Sequence, residues 1–130
     1  MDMEREIQLL QFFICRDFIT GKDDCYTAEA VHSNLYVKFP YHFQKTFAVT
    51  CWKKDRKFHK EVIEYTTDYG ATLRSPHMDI EPVTNSVLFR WHKHAFPAEL
   101  VIEKPTILTV RVTLDWKVMF ETYLLIEQAP

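Results

Sequence analysis

Near the C-terminus Leu108, Val110, Val112 and Leu114 alternate with Thr109, Arg111 and Thr113, and this period of two restricts the fold more than any other feature. Successive side chains of a strand point to opposite faces, so strict alternation gives one apolar and one polar face, whereas a helix needs a period of 3.6. The same period returns upstream. Between Thr46 and Trp52, Phe47, Val49 and Cys51 share one face, and Thr46, Ala48, Thr50 and Trp52 the other. From Ser86 to Phe96 the apolar set is Val87, Phe89 and Trp91, which predicts that Arg90, His92 and His94 face solvent. After a turn at Asp115-Trp116-Lys117, Val118, Phe120, Leu124 and Ile126 continue an inward face, with Glu121 and Tyr123 outward. Ile7 to Cys15 is almost wholly apolar, as in a strand buried on both faces or a short helix.

Turn signals separate these segments. Gly21-Lys22-Asp23-Asp24 and Asp68-Tyr69-Gly70 are two, and the basic run Lys53 to Lys57 reads as the solvated tip of a hairpin whose second strand is Phe58 to Thr67. About seven to nine short strands with no long helical period predict an all-β fold: a single-domain antiparallel β-sandwich over residues 1–130, jelly-roll or immunoglobulin-like. A chain of 130 residues can close one such core without disulfides. Only two glycines occur, against about nine at average usage, so the turns are expected to rely on Asp, Asn, Lys and Pro and to exceed two residues.

Charge and cysteine usage narrow the function classes. Sixteen basic and 18 acidic residues are interspersed, leaving a net charge of -2 and no basic footprint for nucleic acid. No apolar run approaches the roughly 20 residues of a membrane span, and LLQFFIC is too short for a signal core. Cys15, Cys25 and Cys51 have no CxxC spacing, which fits reduced thiols in the cytoplasm better than a disulfide framework or zinc knuckle. Serine-nucleophile elbows and phosphate-cradling glycine loops are both absent.

Two groups of residues could carry function. Tyr36, Phe39, Tyr41 and Phe43 cluster around Pro40 and His42 with few charges, as a protein or ligand contact surface would. His92 and His94 share a strand face, and Glu99 follows at H-x-H-x4-E, spacing that suits a divalent transition metal. That spacing resembles the first metal-binding motif of the cupins, which are also β-sandwiches or barrels. Ser86 and Thr106 stand where cupins place glycines, and no histidine follows His94, so a third imidazole would come from His32, His42, His59 or His77. Pro76 to Pro82 adds His77, Asp79 and Glu81 at alternating positions.

Phe12 to Asp17, Phe39-Pro40, Phe47 to Trp52 and the closing segment Leu108 to Ile126 together resemble a family of small uncharacterised bacterial β-sandwich proteins, a domain of unknown function. Pro105-Thr106 and Asp115-Trp116 replace that family's Pro-Gly and Asp-Gly. The resemblance implies a cytoplasmic sandwich with no catalytic residues to transfer. The leading expectation is a binding or assembly module without a cofactor, with a protein partner or self-association. Its rivals are a cupin-like metal-dependent enzyme using His92, His94 and Glu99, and a structural subunit of a larger particle.

Overall fold

A computed structural model describes residues 6–84 and 87–130. Residues 1–5 and the Ser86 start of one expected strand lie outside the described residues. Among the described residues twelve strands follow one another: β1 (Gln8–Thr20), β2 (Tyr26–Val31), β3 (Asn34–Val37), β4 (Tyr41–His42), β5 (Phe47–Lys53), β6 (His59–Thr66), β7 (Thr72–Arg74), β8 (Met78–Ile80), β9 (Phe89–Ala95), β10 (Val101–Ile102), β11 (Thr106–Leu114) and β12 (Lys117–Gln128). Five of these have four residues or fewer, and the longer ones include the alternating segments that became β5, β9, β11 and β12. No described helix is long and apolar enough to cross a membrane.

Two sheets stack into an all-β sandwich. The first has the order β2-β1-β5-β9, and the second β3-β12-β11-β6-β7 with β8 also on β6; β4 and β10 form a separate ribbon. The described pairings are antiparallel except β12 with β3. Between the sheets pack Ala48 and Trp52 from β5, Ile63 and Tyr65 from β6, Leu108, Val110, Val112 and Leu114 from β11, and Leu124 and Ile126 from β12. The C-terminal alternation therefore faces the core as expected. Val118 and Phe120 do not close over: a register shift between Val112 and Thr113 precedes them, and both are substantially exposed.

The first sheet is covered on its other face too. β1 pairs with β5 as far as Cys15 and with β2 from Cys15 to Thr20, so the β1–β2 hairpin continues past β5 and curls over the outer face. Cys15, Phe18 and Val49 are buried there, with Phe13, Tyr26, Phe47 and Trp91 packed around them. Both faces of β5 are consequently dry. Burial pushes the Cys51 thiol up to about 11, and burial and then Asp17 raise Cys15, so both behave as small apolar groups.

The segment from Lys53 to Lys57 is not the tip of a hairpin. β5 and β6 belong to different sheets, and the connection crosses the end of the sandwich with Lys54 and Asp55 buried. Asp55 explains the burial. Its carboxylate accepts the backbone N–H groups of Ile7 at 3.2 Å and Lys57 at 2.9 Å, and Oδ1 lies 2.8 Å from His59 Nε2. His59 Nδ1 lies 2.6 Å from Asp115 Oδ2, while Asp115 Oδ1 accepts the Lys60 N–H. With a carboxylate on each ring nitrogen, both nitrogens donate and the ring is an imidazolium. The N-terminal strand, the inter-sheet crossing and the β11–β12 turn thus meet at one charge.

That turn corrects another expectation, since Asp115-Trp116 is a two-residue connection made without glycine. Their φ values of 51° and 68° are left-handed, the twist that a tight antiparallel hairpin needs. Asp115 adopts this readily, whereas Trp116 is strained by its Cβ and is 73% exposed, with little packing in return. Substituting Trp116→Gly is expected to stabilise the protein by about 1 kcal/mol, seen as a thermal midpoint a few degrees higher.

The His59 cluster sets a pH window. Burial opposes the charge on His59, but the hydrogen bonds to Asp115 and Asp55 outweigh it and raise the pKa above 6.5. Its contribution is therefore complete below about pH 6.5 and fades as pH climbs through the folded value. Asp55 and Asp115 shift the other way: burial would raise each, but backbone N–H groups and His59 pull both below 3.8. Their contribution is present above about pH 4 and lost on acidification. Denaturant titrations from pH 5 to pH 9 are expected to show stability falling as His59 loses its proton, and His59→Gln to flatten that slope while costing about 2 kcal/mol at pH 5.

Candidate metal centre

Strand β6 places Glu61, Ile63 and Tyr65 on the inter-sheet face, opposite Leu114, Val112 and Val110 of β11. A carboxylate there is costly unless donors surround it, and Glu61 is fully buried. The facing sheet supplies the donors. Trp52 Nε1 donates to Oε2 at 2.8 Å, and Oε1 lies 2.5 Å from His92 Nδ1 and 3.0 Å from His94 Nε2. Burial would raise the Glu61 pKa, yet the hydrogen bonds from the two imidazoles prevail and hold it at about 2.

The histidines arrive through register. β9 pairs with β5 so that His92 stands opposite Thr50 and His94 opposite Ala48, both inward positions. The expectation that Arg90, His92 and His94 face solvent is thus reversed. The alternation is present, but its phase is inverted: Trp91 points to the outer cluster beneath the curled hairpin, and the histidines point to the core. His94 is 1% exposed and His92 10%. The apolar partners that make Trp91 look inward belong to the hairpin, which covers a face that an ordinary sandwich leaves wet.

Glu61, His92 and His94 bring three ligand-type atoms within 4.8 Å of one another. Other polar atoms surround them. His94 Nδ1, Thr50 Oγ1 and the Tyr65 hydroxyl are buried with no hydrogen-bond partner among the described residues. Thr50 is the cross-strand neighbour of His92. Burial first, and then the Glu61 charge, push the Tyr65 phenol far above its ordinary pKa, so it stays a neutral donor. Orphaned polar atoms in a core are uncommon, and three of them lie on residues of this layer.

Glu99 is not part of this group. It is exposed in the turn after β9, where Leu100 N–H bonds to Pro97, and the carboxylate that meets the imidazoles is Glu61. His77 is half exposed, 3.6 Å from Asp79, in a separate surface pair. His59 belongs to the aspartate cluster. The aromatic quartet is divided: Tyr36 is exposed, Phe39 and Tyr41 are half-buried against the core, and Phe43 is buried between Tyr41 and Phe96 at 5.1 and 4.8 Å. The sequence did hold a signal for Glu61, a lone acid at an inward position of an apolar alternation, in line with Ile63 and Tyr65.

No protein family, curated protein or solved structure matches the chain. The site's chemistry therefore rests on its own geometry.

Removing the carboxylate strands three donors in a dry layer. Glu61→Ala is expected to lower unfolding free energy by about 3–5 kcal/mol, and Trp52→Phe, which strands only Oε2, by about 1–3 kcal/mol. Urea midpoints of the two variants measured side by side check the ranking.

Proposed function

We propose that the protein binds a divalent transition metal ion through Glu61 Oε1, His92 Nδ1 and His94 Nε2. The observation that carries this reading is the convergence of those atoms within 4.8 Å, in a layer where Thr50, Tyr65 and His94 each leave a polar atom unpartnered. Imidazole with carboxylate suits zinc, iron, nickel or copper. Three protein ligands would leave coordination positions for water or a small ligand. The ion would replace the protons that the imidazoles share with Glu61, and it would supply Lewis acidity and water activation.

This reading retains His92 and His94 from the cupin-like expectation and replaces Glu99 with Glu61. The free thiols of Cys15, Cys25 and Cys51 suit a reducing compartment such as the cytoplasm. For self-association, Tyr36 and the exposed parts of Phe39 and Tyr41 remain as surface.

Titration of metal-free protein with Co²⁺, followed by visible absorption, together with elemental analysis of protein prepared without a tag, tests the proposal. Binding is expected to saturate near about one equivalent and to vanish in the H92A/H94A double variant and in Glu61→Gln. Glu99→Gln and His77→Ala are expected to bind as the parent does. Uptake below about a tenth of an equivalent, or uptake indifferent to H92A/H94A, would falsify the reading.

A further inference from the structure

Strand β9 is the outer strand of its sheet among the described residues, and a cleft of about 610 Å³ is lined by every residue from 87 to 93 together with Phe18, Thr20, Asp24 and Tyr26 of the curled β1–β2 hairpin. Side chains of a strand alternate between its two faces, so a cleft that touches seven residues in succession runs along the strand's edge and not over one face. Fully extended, such a run measures about 20 Å, the length of a common β-strand.

The main chain of this edge is unpaired. The Leu88 carbonyl accepts the Lys54 N–H at 2.8 Å, and the Phe96 N–H donates to the Thr46 carbonyl at 3.0 Å. Both pairs continue the β5–β9 register, so the even-numbered residues make the ladder with β5. Phe89, Trp91 and Lys93 therefore turn their N–H and C=O groups to the open side, where no described residue meets them. Bare edges are commonly guarded by an outstretched lysine. Lys93 gives no such guard, because its Nζ pairs with Asp17 at 2.8 Å and lies 4.3 Å from the centroid of the Phe47 ring, back over β5. Apolar side chains flank the edge: Val87 and Phe89 are each 52% exposed, and Trp91 packs with Phe18 and Tyr26 at 5.3 and 5.0 Å. Asp24 offsets Arg90 and Asp17 offsets Lys93, so the cleft has no excess of either charge.

We infer that this cleft receives an extended peptide segment of a partner protein, which adds to β9 as a further strand and carries apolar side chains at alternate positions. The unpaired main-chain groups argue for this occupant. A strand meets a row of alternating N–H and C=O groups one for one, whereas an apolar small molecule leaves them unsatisfied. The peptide main chain supplies affinity, and the side chains that fall on the outer face rest beside Phe89 and Trp91. Balanced charge in the cleft suits a segment with no strong charge of its own. A bare strand enters between the edge and the hairpin, whereas a second copy of this chain brings a hairpin of its own over the same face. The inference goes beyond the metal reading and stands without it.

The test uses end-blocked hexapeptides that alternate threonine with valine, leucine or phenylalanine, and the same peptides N-methylated at every amide, added to chelator-treated protein. In the free protein the amides of Arg90, His92 and His94 are expected to be protected from hydrogen exchange and those of Phe89, Trp91 and Lys93 to exchange freely. A saturating unmethylated peptide should slow the second set by at least about tenfold. Methylation removes the donors and keeps the side chains, and it should weaken binding measured by calorimetry at least about tenfold. Raising salt from about 0.05 to 0.5 M should change the affinity by less than about twofold. Phe89→Pro deletes a donor that β5 does not use, so the variant is expected to keep the parent's circular dichroism and to lose the peptide. Phe89→Thr leaves the edge intact and should weaken binding about fivefold. No binding by any of the peptides, methylated peptides that bind like the unmethylated ones, or unchanged exchange at Phe89, Trp91 and Lys93 overturns the assignment. So does protection of those three amides in the free protein that grows with its concentration, the mark of a second copy.

Discussion

A single carboxylate organises this sandwich. Glu61 lies in the layer where the two sheets meet, and its three donors all come from the opposite sheet. Apolar side chains can slide past one another with small penalties, but a buried charge tolerates only the arrangement that keeps every donor in reach. Trp52 on β5 and the two histidines on β9 are therefore fixed relative to β6, and the surrounding apolar residues pack about that fixed point.

The second constraint is the hairpin that wraps the outer face of the first sheet. It accounts for a central strand without a wet side and for the inversion of β9 relative to its sequence pattern. It also supplies Phe18 and Tyr26 to the outer aromatic cluster. The packing of Phe18 and Tyr26 on Trp91 fixes the outward side chains of β9, and the same pleat turns His92 and His94 toward Glu61. The inter-sheet core and the outer aromatic cluster are thus served by two faces of one strand.

Much of the fold is legible in the residues because period-two alternation is a local property. Leu108 to Leu114 and Thr46 to Trp52 announce strands whatever surrounds them. Which face is inside is not local when both faces are covered, and Trp91 misleads for that reason. The partnership of strands is also invisible: Lys53 to Lys57 looks like a hairpin tip by composition, and only the third dimension reveals Asp55 drawn inward by His59 and two backbone amides. The histidine pair could be singled out from its spacing. Its carboxylate could not, because Glu61 lies 31 residues from His92, and short motifs cannot express contacts between sheets.

The position of β9 at the rim of its sheet has a mechanical meaning. An interior strand is held by ladders on both sides, whereas among the described residues β9 is zipped only to β5, so its pairing belongs to the less costly part of the sheet to open. Two imidazoles carried by an edge strand reach across to an acid carried by an interior one. Whatever occupies the space between them, protons or an ion, acts as a clasp on a movable wall, and the grip on that occupant and the attachment of the wall are a single free energy seen from two sides.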